Sequence, residues 1–266
     1  MTPGDVDVRW WGHATTTITL AGVRVLTDPV LVDRVAHLRR LGGPTPRPEA
    51  ASADVAVVSH LHADHLHLPS LRRLDPGCRL IAPRGTAALL KRGDLDLLKR
   101  LEEVDVGDTL VVGGVTVRAV AAHHDGRRLP ASRHRGPALG FVLEGDGRSV
   151  WFAGDTGLFD EMAAIGPVDV AVVPVGGWGP TLGPHHLDPV QAAEAVARVG
   201  ARDAVPVHFG TFWPAGLRRL GHATFEQKFE QPGASFAAAA PAMCPDARTH
   251  VLTQGDDVLL PASPVR

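Results

Sequence analysis

The stretch Val55-Ala56-Val57-Val58-Ser59-His60-Leu61-His62-Ala63-Asp64-His65 decides the fold, because an apolar run is followed at once by metal-binding side chain types. Val55 to Val58 is typical of a buried strand. Residues two apart in an extended segment point the same way, so His60 and His62 can bind one ion from one side. Asp64 and His65 are then available for a second ion.

Working outward, short apolar runs alternate with amphipathic stretches, which predicts a layered α/β architecture. Strands are predicted at Val6–Trp10, Thr15–Leu20, Val23–Thr27, Val55–Val58, Leu80–Ala82, Thr109–Val112, Val115–Ala121, Leu139–Glu144, Val150–Ala153, Val168–Val173, Ala204–Val207 and a closing pair near Thr249–Leu252 and Asp257–Leu260. Helices are predicted at Pro69–Leu74, Thr86–Lys91, Leu95–Glu102, Phe159–Ile165, Pro189–Val199 and Phe225–Ala240. The Pro- and Arg-rich segment Ala36–Ala53 is predicted to be a long surface loop.

Length and composition predict one globular domain covering residues 1–266. Hydrophobic residues make up 44% and charged residues 21% of the chain, and the formal net charge is -2. With no excess positive charge, a nucleic-acid partner is not expected. No apolar run approaches the length of a membrane span and the start is polar, so a cytoplasmic protein without stable membrane insertion is expected. Cys78 and Cys244 are too few and too far apart for a disulfide framework or a CxxC metal site.

Three later segments place further metal-binding side chain types at the ends of predicted strands. His123 and His124 follow Val115–Ala121, Asp155 follows Val150–Ala153, and His208 follows Ala204–Val207. Each residue alone is more often structural than functional. Together with the His60-x-His-x-Asp-His segment they supply the five His and two Asp of a two-metal cage.

The order of these motifs resembles the metallo-β-lactamase superfamily, from the start of the chain to about Phe212. The closer likeness is to the branch that contains ascorbate-6-phosphate lactonases and N-acyl phosphatidylethanolamine phospholipase D. It is carried by Trp11-Gly12-His13-Ala14-Thr15, Thr27-Asp28-Pro29, Gly154-Asp155-Thr156-Gly157, His186-Leu187-Asp188-Pro189 and His208-Phe209-Gly210-Thr211-Phe212. The resemblance implies an αββα four-layer sandwich with the metals at one edge, between two sheets.

The resemblance also implies the metal ligands, residue by residue. One ion would be bound by His60, His62 and His124, the other by Asp64, His65 and His208, with Asp155 bridging both. The register of Val120-Ala121-Ala122-His123-His124 selects His124. Because adjacent strand residues point to opposite faces, His123 stays an alternative. His67 departs from the family pattern and is not assigned as a ligand.

Around these ligands, His13 and Asp28 fall in family motifs near the cleft floor and are expected to act behind the ligands or to bind substrate. Asp64, Asp155 and His186 are the expected catalytic residues. His186 would orient the substrate or protonate the leaving group. Arg127 and Arg128 are either solvated or bind an anionic substrate group. Trp178, Phe212 and Trp213 are either core residues or pocket walls.

The implied reaction is hydrolysis of an ester, lactone or related bond of a small molecule, by a hydroxide bridging two zinc-like ions. Mixed nitrogen and oxygen ligands favour zinc, with manganese or iron as alternatives. A phosphodiesterase or phospholipase D-like hydrolase, or a catalytically silent metal-binding scaffold, is the competing interpretation. The sequence does not determine the oligomeric state.

Overall fold

The computed structural model describes residues 2–129, 131–217 and 221–262, and β-strands form its centre. In chain order the strands are β1 Val6–Gly12, β2 Thr15–Leu20, β3 Val23–Thr27, β4 Arg34–Val35, β5 Leu38–Arg40, β6 Val55–Val57, β7 Arg79–Pro83, β8 Leu101–Val104, β9 Thr109–Val112, β10 Val115–Ala121, β11 Leu139–Gly145, β12 Arg148–Phe152, β13 Val170–Pro174, β14 Asp203–Val207, β15 Phe212–Pro214, β16 Arg248–Thr249 and β17 Asp257–Leu260.

Two seven-stranded sheets share one organisation. The first has the order β17-β1-β2-β3-β6-β7-β8, and the second has the order β16-β14-β13-β12-β11-β10-β9. In the first, pairing is antiparallel from β17 to β3 and parallel from β3 to β8. In the second, pairing is antiparallel from β9 to β12 and parallel from β12 to β16. Each sheet therefore has a parallel half that needs cover on both faces.

The alternation of side chains along the strands explains why the sheets stack. In β6, Val55 and Val57 join the large cluster between the sheets, whereas Ala56 joins the smaller cluster on the outer face. In β7, Ile81 points inward and Leu80 outward. Because both faces of these strands are apolar, the first sheet buries one face against the second sheet and the other under helices.

The α-helices are short, and three of them pack on the two sheets. They are α1 Leu68–Leu71, α2 Leu95–Arg100, α3 Pro189–Arg198, α4 His222–Phe225 and α5 Pro232–Met243. Helix α2 contacts β7, while α3 contacts β13 and α5 contacts β14. The predicted αββα sandwich is therefore confirmed. Asp188 caps α3 as its sequence predicts, accepting hydrogen bonds from the backbone N–H groups of Val190 and Gln191.

A predicted loop and a predicted strand pair differ in the structure, because pairing partners distant in sequence decide these segments. Ala36–Ala53 is not a plain loop, since β5 pairs with β15, Phe212 opposite Arg40, and the 3₁₀ turn Pro48–Ala51 follows. The two strands of the predicted closing pair do not pair with each other. The strand at Arg248–Thr249 extends the second sheet beside β14, whereas Asp257–Leu260 extends the first beside β1.

Four helix predictions need correction. Phe159–Ile165 contains only a 3₁₀ helix, Asp160–Ala164. The predicted helix Leu95–Glu102 ends at Arg100, because Leu101 begins β8 opposite Leu80. Thr86–Lys91 contains only a 3₁₀ turn, Ala87–Leu89. The predicted helix Phe225–Ala240 is divided into α4, the π-turn Glu226–Glu230 and α5. Pro232 causes the last break, because proline has no N–H and suits the first turn of a new helix.

The carboxyl ends of the strands in both sheets meet at one edge of the sandwich. Asp28 follows β3, His60 follows β6, Asp155 follows β12 and His208 follows β14. The gap at this edge is where side chains from several strands converge. Within the described residues, none of the helices has both the length and the apolar character of a membrane span.

Candidate metal centre

All seven predicted metal ligands come together at this edge, in overlapping groups whose ligand atoms lie within 4.8 Å of one another. The outer group consists of His60, His62 and His124. The inner group consists of His13, Asp64, His65 and His208, all buried. Asp155 belongs to groups that reach both sides. The structure thus gathers donors from segments far apart in the chain.

In the outer group three ring nitrogens face a common point. His60 Nε2 lies 2.9 Å from His62 Nδ1, and His124 Nε2 lies 3.2 Å from the same atom. One nitrogen of His62 can donate at most one proton. If the Nε2 atoms of His60 and His124 both carry lone pairs, at least one of them receives no hydrogen bond from His62.

The opposite nitrogens of His60 and His124 fix these lone pairs. His124 Nδ1 is 2.9 Å from the carbonyl oxygen of His185, which can only accept, so Nδ1 carries the proton. The Ser59 hydroxyl donates to Asp28, so the Ser59 oxygen accepts from His60 Nδ1 at 3.0 Å. In a neutral ring the proton on Nδ1 leaves Nε2 free to bind a cation.

The inner group is oriented in the same way. His65 Nδ1 donates to Asp28 at 2.7 Å, and His208 Nδ1 donates to the Gly176 carbonyl at 3.1 Å. The two Nε2 atoms then face each other at 3.3 Å. A second hydrogen bond that fixes the ring is the usual companion of a metal-binding histidine. Asp28 thus lies behind His65 and contributes no atom to the groups themselves.

His13 lies deeper than the sequence predicts, inside the inner group. Its Nε2 is 3.0 Å from Asp64 Oδ2, and its ring is 4.0 Å from that of His208, centroid to centroid. Trp10 Nε1 donates to the His13 carbonyl, and His13 N donates to Thr211 Oγ1. His13 thus holds the Asp64 carboxylate in place and is itself fixed at its backbone.

Asp155 lies between the two groups. Its Oδ2 is 3.2 Å from His65 Nε2, and its Oδ1 is 3.2 Å from His208 Nε2. Although buried, Oδ1 has no hydrogen-bond partner among the residues that the structure describes. An unsatisfied buried carboxylate oxygen is costly, and a cation would satisfy it. The donor set therefore fits divalent metal ions.

The protonation states agree with this fit. Burial lowers the pKa of His60 and of His208 well below the usual value, and burial lowers the pKa of His124 to about 4. Burial also opposes charge on Asp64 and Asp155, but the neighbouring histidines outweigh it and hold both carboxyl pKa values well below normal. Neutral imidazoles and ionised carboxylates are the forms that bind metal.

His65 and His186 behave differently because both face Asp155. Burial disfavours charge on His65, but Asp155, Asp28 and Asp64 outweigh it and raise the pKa of His65 well above normal. Burial also opposes charge on His186, whose pKa is nevertheless raised by Asp155. Its Nε2 is 3.5 Å from Asp155 Oδ2. A cation bound beside His65 would displace the proton that this ring otherwise carries.

Three non-glycine residues with positive φ lie at the same edge. His13, Asp28 and His208 have φ values of 53°, 36° and 64°. Left-handed backbone is uncommon for residues other than glycine, and it persists where the surrounding structure imposes it. These conformations aim the side chains away from the strands that carry them, into the gap between the sheets.

The structure separates His123 from His124. Only His124 reaches the outer group, while His123 is exposed and stacks on Phe159 with ring centroids 4.3 Å apart. His67 Nδ1 bonds the Ser70 hydroxyl at 2.7 Å and joins none of the groups. The register argument for His124 and the exclusion of His67 agree with this geometry.

A cavity of about 200 Å³ opens onto the centre. His62, Asp64 and Asp155 form its floor, and His186 lies in its wall together with Trp178. Buried Nδ1 of His186 has no hydrogen-bond partner among the described residues. A small molecule in this cavity would therefore meet both His186 and the ligand groups.

The remaining candidates have mostly structural roles. Arg127 forms an ion pair with Asp125 at 2.9 Å. Arg128 Nη1 donates to the carbonyls of Leu61 and Leu66, which holds the loop after β10 against the ligand segment. Arg127 is thus paired with a carboxylate, whereas Arg128 is held by backbone carbonyls.

Of the three aromatic candidates, only Trp178 lines a cavity at the centre. Phe212 is buried edge-on to His13, with ring centroids 5.3 Å apart. Trp213 packs with Phe225 and Phe229 in a separate core cluster. Trp178 is thus a pocket wall, and the other two residues are core.

Sequence reasoning missed Ser59 and His37. Ser59 links His60 to Asp28, and its position directly before the first ligand was the only signal for it. His37 lies in the turn between β4 and β5, and its ring meets that of Trp178 edge-on, with centroids 5.1 Å apart. No local pattern marked His37, because its neighbour comes from a distant loop.

Known proteins share this sequence pattern and fold. Residues 23–209 match the family described as the beta-lactamase superfamily domain. The chain is 32% identical over 225 residues to N-acyl-phosphatidylethanolamine-hydrolyzing phospholipase D 1 of Caenorhabditis elegans, covering 76% of this chain and 63% of that protein. It therefore spans less than two thirds of the nematode protein.

Two further relatives cover more of their own length. A metal-dependent hydrolase of Methanopyrus kandleri is 31% identical over 212 residues, covering 78% of this chain and 85% of the relative. The solved structure of a metallo hydrolase from Ignicoccus hospitalis has a TM-score of 0.70 at 22% identity and covers 97% of this chain and 99% of its own. The family match and the 31% identity to the Methanopyrus kandleri relative establish that this chain belongs to the metallo-β-lactamase superfamily.

Proposed function

We propose that this chain is a dinuclear, zinc-dependent hydrolase that cleaves an ester, lactone or related bond of a small molecule. His60, His62 and His124 would hold one ion, and Asp64, His65 and His208 the other. Asp155 would contact both. The observation that carries the proposal is the orientation of the histidines, since the nitrogens facing away from the centre are held by Asp28, Ser59 and two backbone carbonyls.

When bound, two such ions would supply an activated water at neutral pH and would polarise the carbonyl or phosphoryl oxygen of the substrate. The protein supplies positioning. His13 holds Asp64 through Nε2 at 3.0 Å, and Asp28 holds His65 at 2.7 Å, so both ligands stay oriented without a substrate. Pre-oriented groups lose little freedom at the moment of reaction.

His186 is proposed to orient the substrate and to give a proton to the leaving group. Its ring lies at the wall of the cavity, with Nε2 3.5 Å from Asp155 Oδ2. A histidine within reach of both the reacting bond and a carboxylate is suited to general acid catalysis. Asp64 and Asp155 would remain ionised throughout.

A phosphodiester substrate is the second candidate. It is favoured by the 32% identity to the nematode phospholipase D, whose name describes hydrolysis of a phospholipid. The same donor set could serve either bond, because carbonyl and phosphoryl oxygens are polarised in the same way. A lactone and bis(p-nitrophenyl) phosphate, assayed side by side, separate the two candidates.

The test combines elemental analysis with turnover, on wild type and on Asp155→Asn. We expect about two equivalents of zinc in the wild type, and loss of metal and of turnover in the variant. The matched control is Asp146→Asn, the same change at an exposed turn residue whose φ of 49° suits asparagine. If the protein contains manganese or iron in place of zinc, only the identity of the metal in the proposal changes. A protein that neither retains nor regains any metal would instead be a silent scaffold.

A further inference from the structure

A second cavity, of about 370 Å³, adjoins the candidate metal centre. It lies between the β4–β5 turn, the segment after β10 and the loop after β13. Its apolar lining consists of Val35, Ala36, Leu38, Ala63, Leu129 and Trp178. Its volume is within the range of small-molecule sites, about 300 to 1,000 Å³.

The two cavities meet at the centre itself. His62, Asp64 and Trp178 line both of them. A molecule whose reacting bond lies beside Asp155 and His186 would therefore extend past Trp178 into the larger cavity. The smaller cavity carries the reactive side chains, and the larger one offers mainly apolar surface.

The two charged side chains in the wall of the larger cavity, Asp64 and Arg128, are held by neighbouring groups of the protein. Asp64 accepts a hydrogen bond from His13, and Arg128 Nη1 donates to the carbonyl oxygens of Leu61 and Leu66. The six apolar side chains of the lining give a charged substituent no polar partner, so burying it against them would cost free energy. An uncharged apolar substituent would gain by burial.

Two side chains at this cavity are more exposed than apolar residues usually are. Leu129 is 60% exposed and Trp178 is 37% exposed, whereas Trp10, Trp11, Trp151 and Trp213 are at most 3% exposed. Exposed apolar surface beside a reactive centre is typical of a binding site. Covering these two side chains would stabilise a bound molecule.

We propose that this cavity binds an uncharged apolar part of the substrate, an aliphatic chain or an aromatic ring, of a soluble ester or lactone. The inference rests on the proposed function for the identity of the reacting bond. It does not need turnover to be tested, because the cavity would bind an apolar molecule that has no bond to cleave.

The first experiment measures binding of 1-octanol and 1-butanol to the full chain as purified, through acrylamide quenching of tryptophan fluorescence. Trp178 is the exposed tryptophan, so Trp178→Phe identifies its share of the signal. We expect 1-octanol to protect Trp178 and to bind at least about tenfold more tightly than 1-butanol, since each buried methylene adds about threefold.

Leu129→Gln should weaken the protection, and Leu95→Gln should not. Leu95 is the matched control because it is the same residue type, is also 60% exposed and lies on α2. Equal behaviour of the two variants, or no protection by 1-octanol, would overturn the proposal.

The second experiment compares γ-lactones from γ-butyrolactone to γ-decalactone. We expect kcat/KM to rise about threefold per methylene until the cavity is filled, and the rise to flatten in Leu129→Gln. If kcat/KM does not depend on chain length and Trp178 is not protected from quenching, the cavity assignment is overturned. The proposed hydrolase function is then unaffected. Protection of Trp178 without hydrolysis of any ester supports the cavity and counts against the hydrolase.

A lipid could carry the same kind of chain, so a third arm tests phosphatidylcholine vesicles. We expect no co-sedimentation of the protein with them. If the protein co-sediments with the vesicles and Leu129→Gln abolishes this, the assignment to soluble molecules is overturned. The cavity would then bind a lipid chain.

Discussion

The two ends of the sandwich carry cavities that differ in volume and in whether their polar atoms already have partners. The end at the amino termini of β3, β6 and β7 has the larger one, about 610 Å³, lined in part by Arg24, Asp54 and Cys78. The end at the carboxyl termini has the cavity of about 200 Å³ over the metal centre. Volume alone would assign the function to the wrong end.

What separates the two ends is whether the polar atoms already have partners. At the large cavity Asp54 accepts from Arg24 N at 2.8 Å, and Asp75 accepts from the Ser52 hydroxyl at 2.7 Å. At the metal centre ring nitrogens face one another, and Asp155 Oδ1 has no hydrogen-bond partner among the described residues. Polar atoms without partners, and not cavity volume, distinguish the end that carries the candidate metal centre.

The largest effect should come from the pair His124→Ala and His123→Ala. Loss of His124 removes one donor of the outer group, so we expect loss of one metal equivalent and a fall in kcat/KM of about a hundredfold or more. The His123 change removes only a ring stacked on Phe159. Metal analysis and lactone turnover check both. The same loss in both variants would contradict the assignment of His124.

Cys78 at the opposite end should be chemically inert. Burial raises the pKa of the Cys78 thiol to about 11, so at pH 8 its thiolate fraction is roughly 200-fold lower than that of an ordinary cysteine. Alkylation by iodoacetamide, followed peptide by peptide, should be correspondingly slow in the native protein and should accelerate as the pH approaches 11. Rapid labelling at pH 8 would mean that the large cavity activates this thiol.

A third contrast uses an aspartate from each end. Asp28→Asn disturbs the acceptor of His65, so we expect metal affinity to fall about 10- to 100-fold. Asp54→Asn changes an acceptor of similar chemistry that serves only the backbone of Arg24. Competition with a chromogenic chelator measures both affinities. If Asp54→Asn weakens metal binding as much, the two ends are coupled and the comparison fails.

The smallest effect should come from Ser52→Ala. It removes one solvent-accessible hydrogen bond to Asp75, so the free energy of unfolding should change by at most about 1 kcal/mol. Metal content and turnover should stay at the wild-type level. Urea denaturation and the lactone assay test this, and a marked loss of turnover would point to a function for the large cavity.

Several features were predictable because the information is local. The buried strand before His60, the cap at Asp188 and the order of donors along the chain are each read from a few neighbouring residues. Segments whose state depends on distant partners were predicted wrongly. Leu101 fits the apolar pattern of the predicted helix Leu95–Glu102, yet it lies in a strand because it pairs with Leu80 of β7.

The sequence by itself determined which donor types are present and where strands end, because both are properties of short segments. Only the tertiary structure decided that His124 and not His123 faces the centre, and that His13 lies against Asp64. The apolar cavity beside the centre was likewise undetermined, since Leu129 and Trp178 meet only after both sheets have stacked. Convergence of distant side chains depends on packing between layers, and no local pattern encodes it.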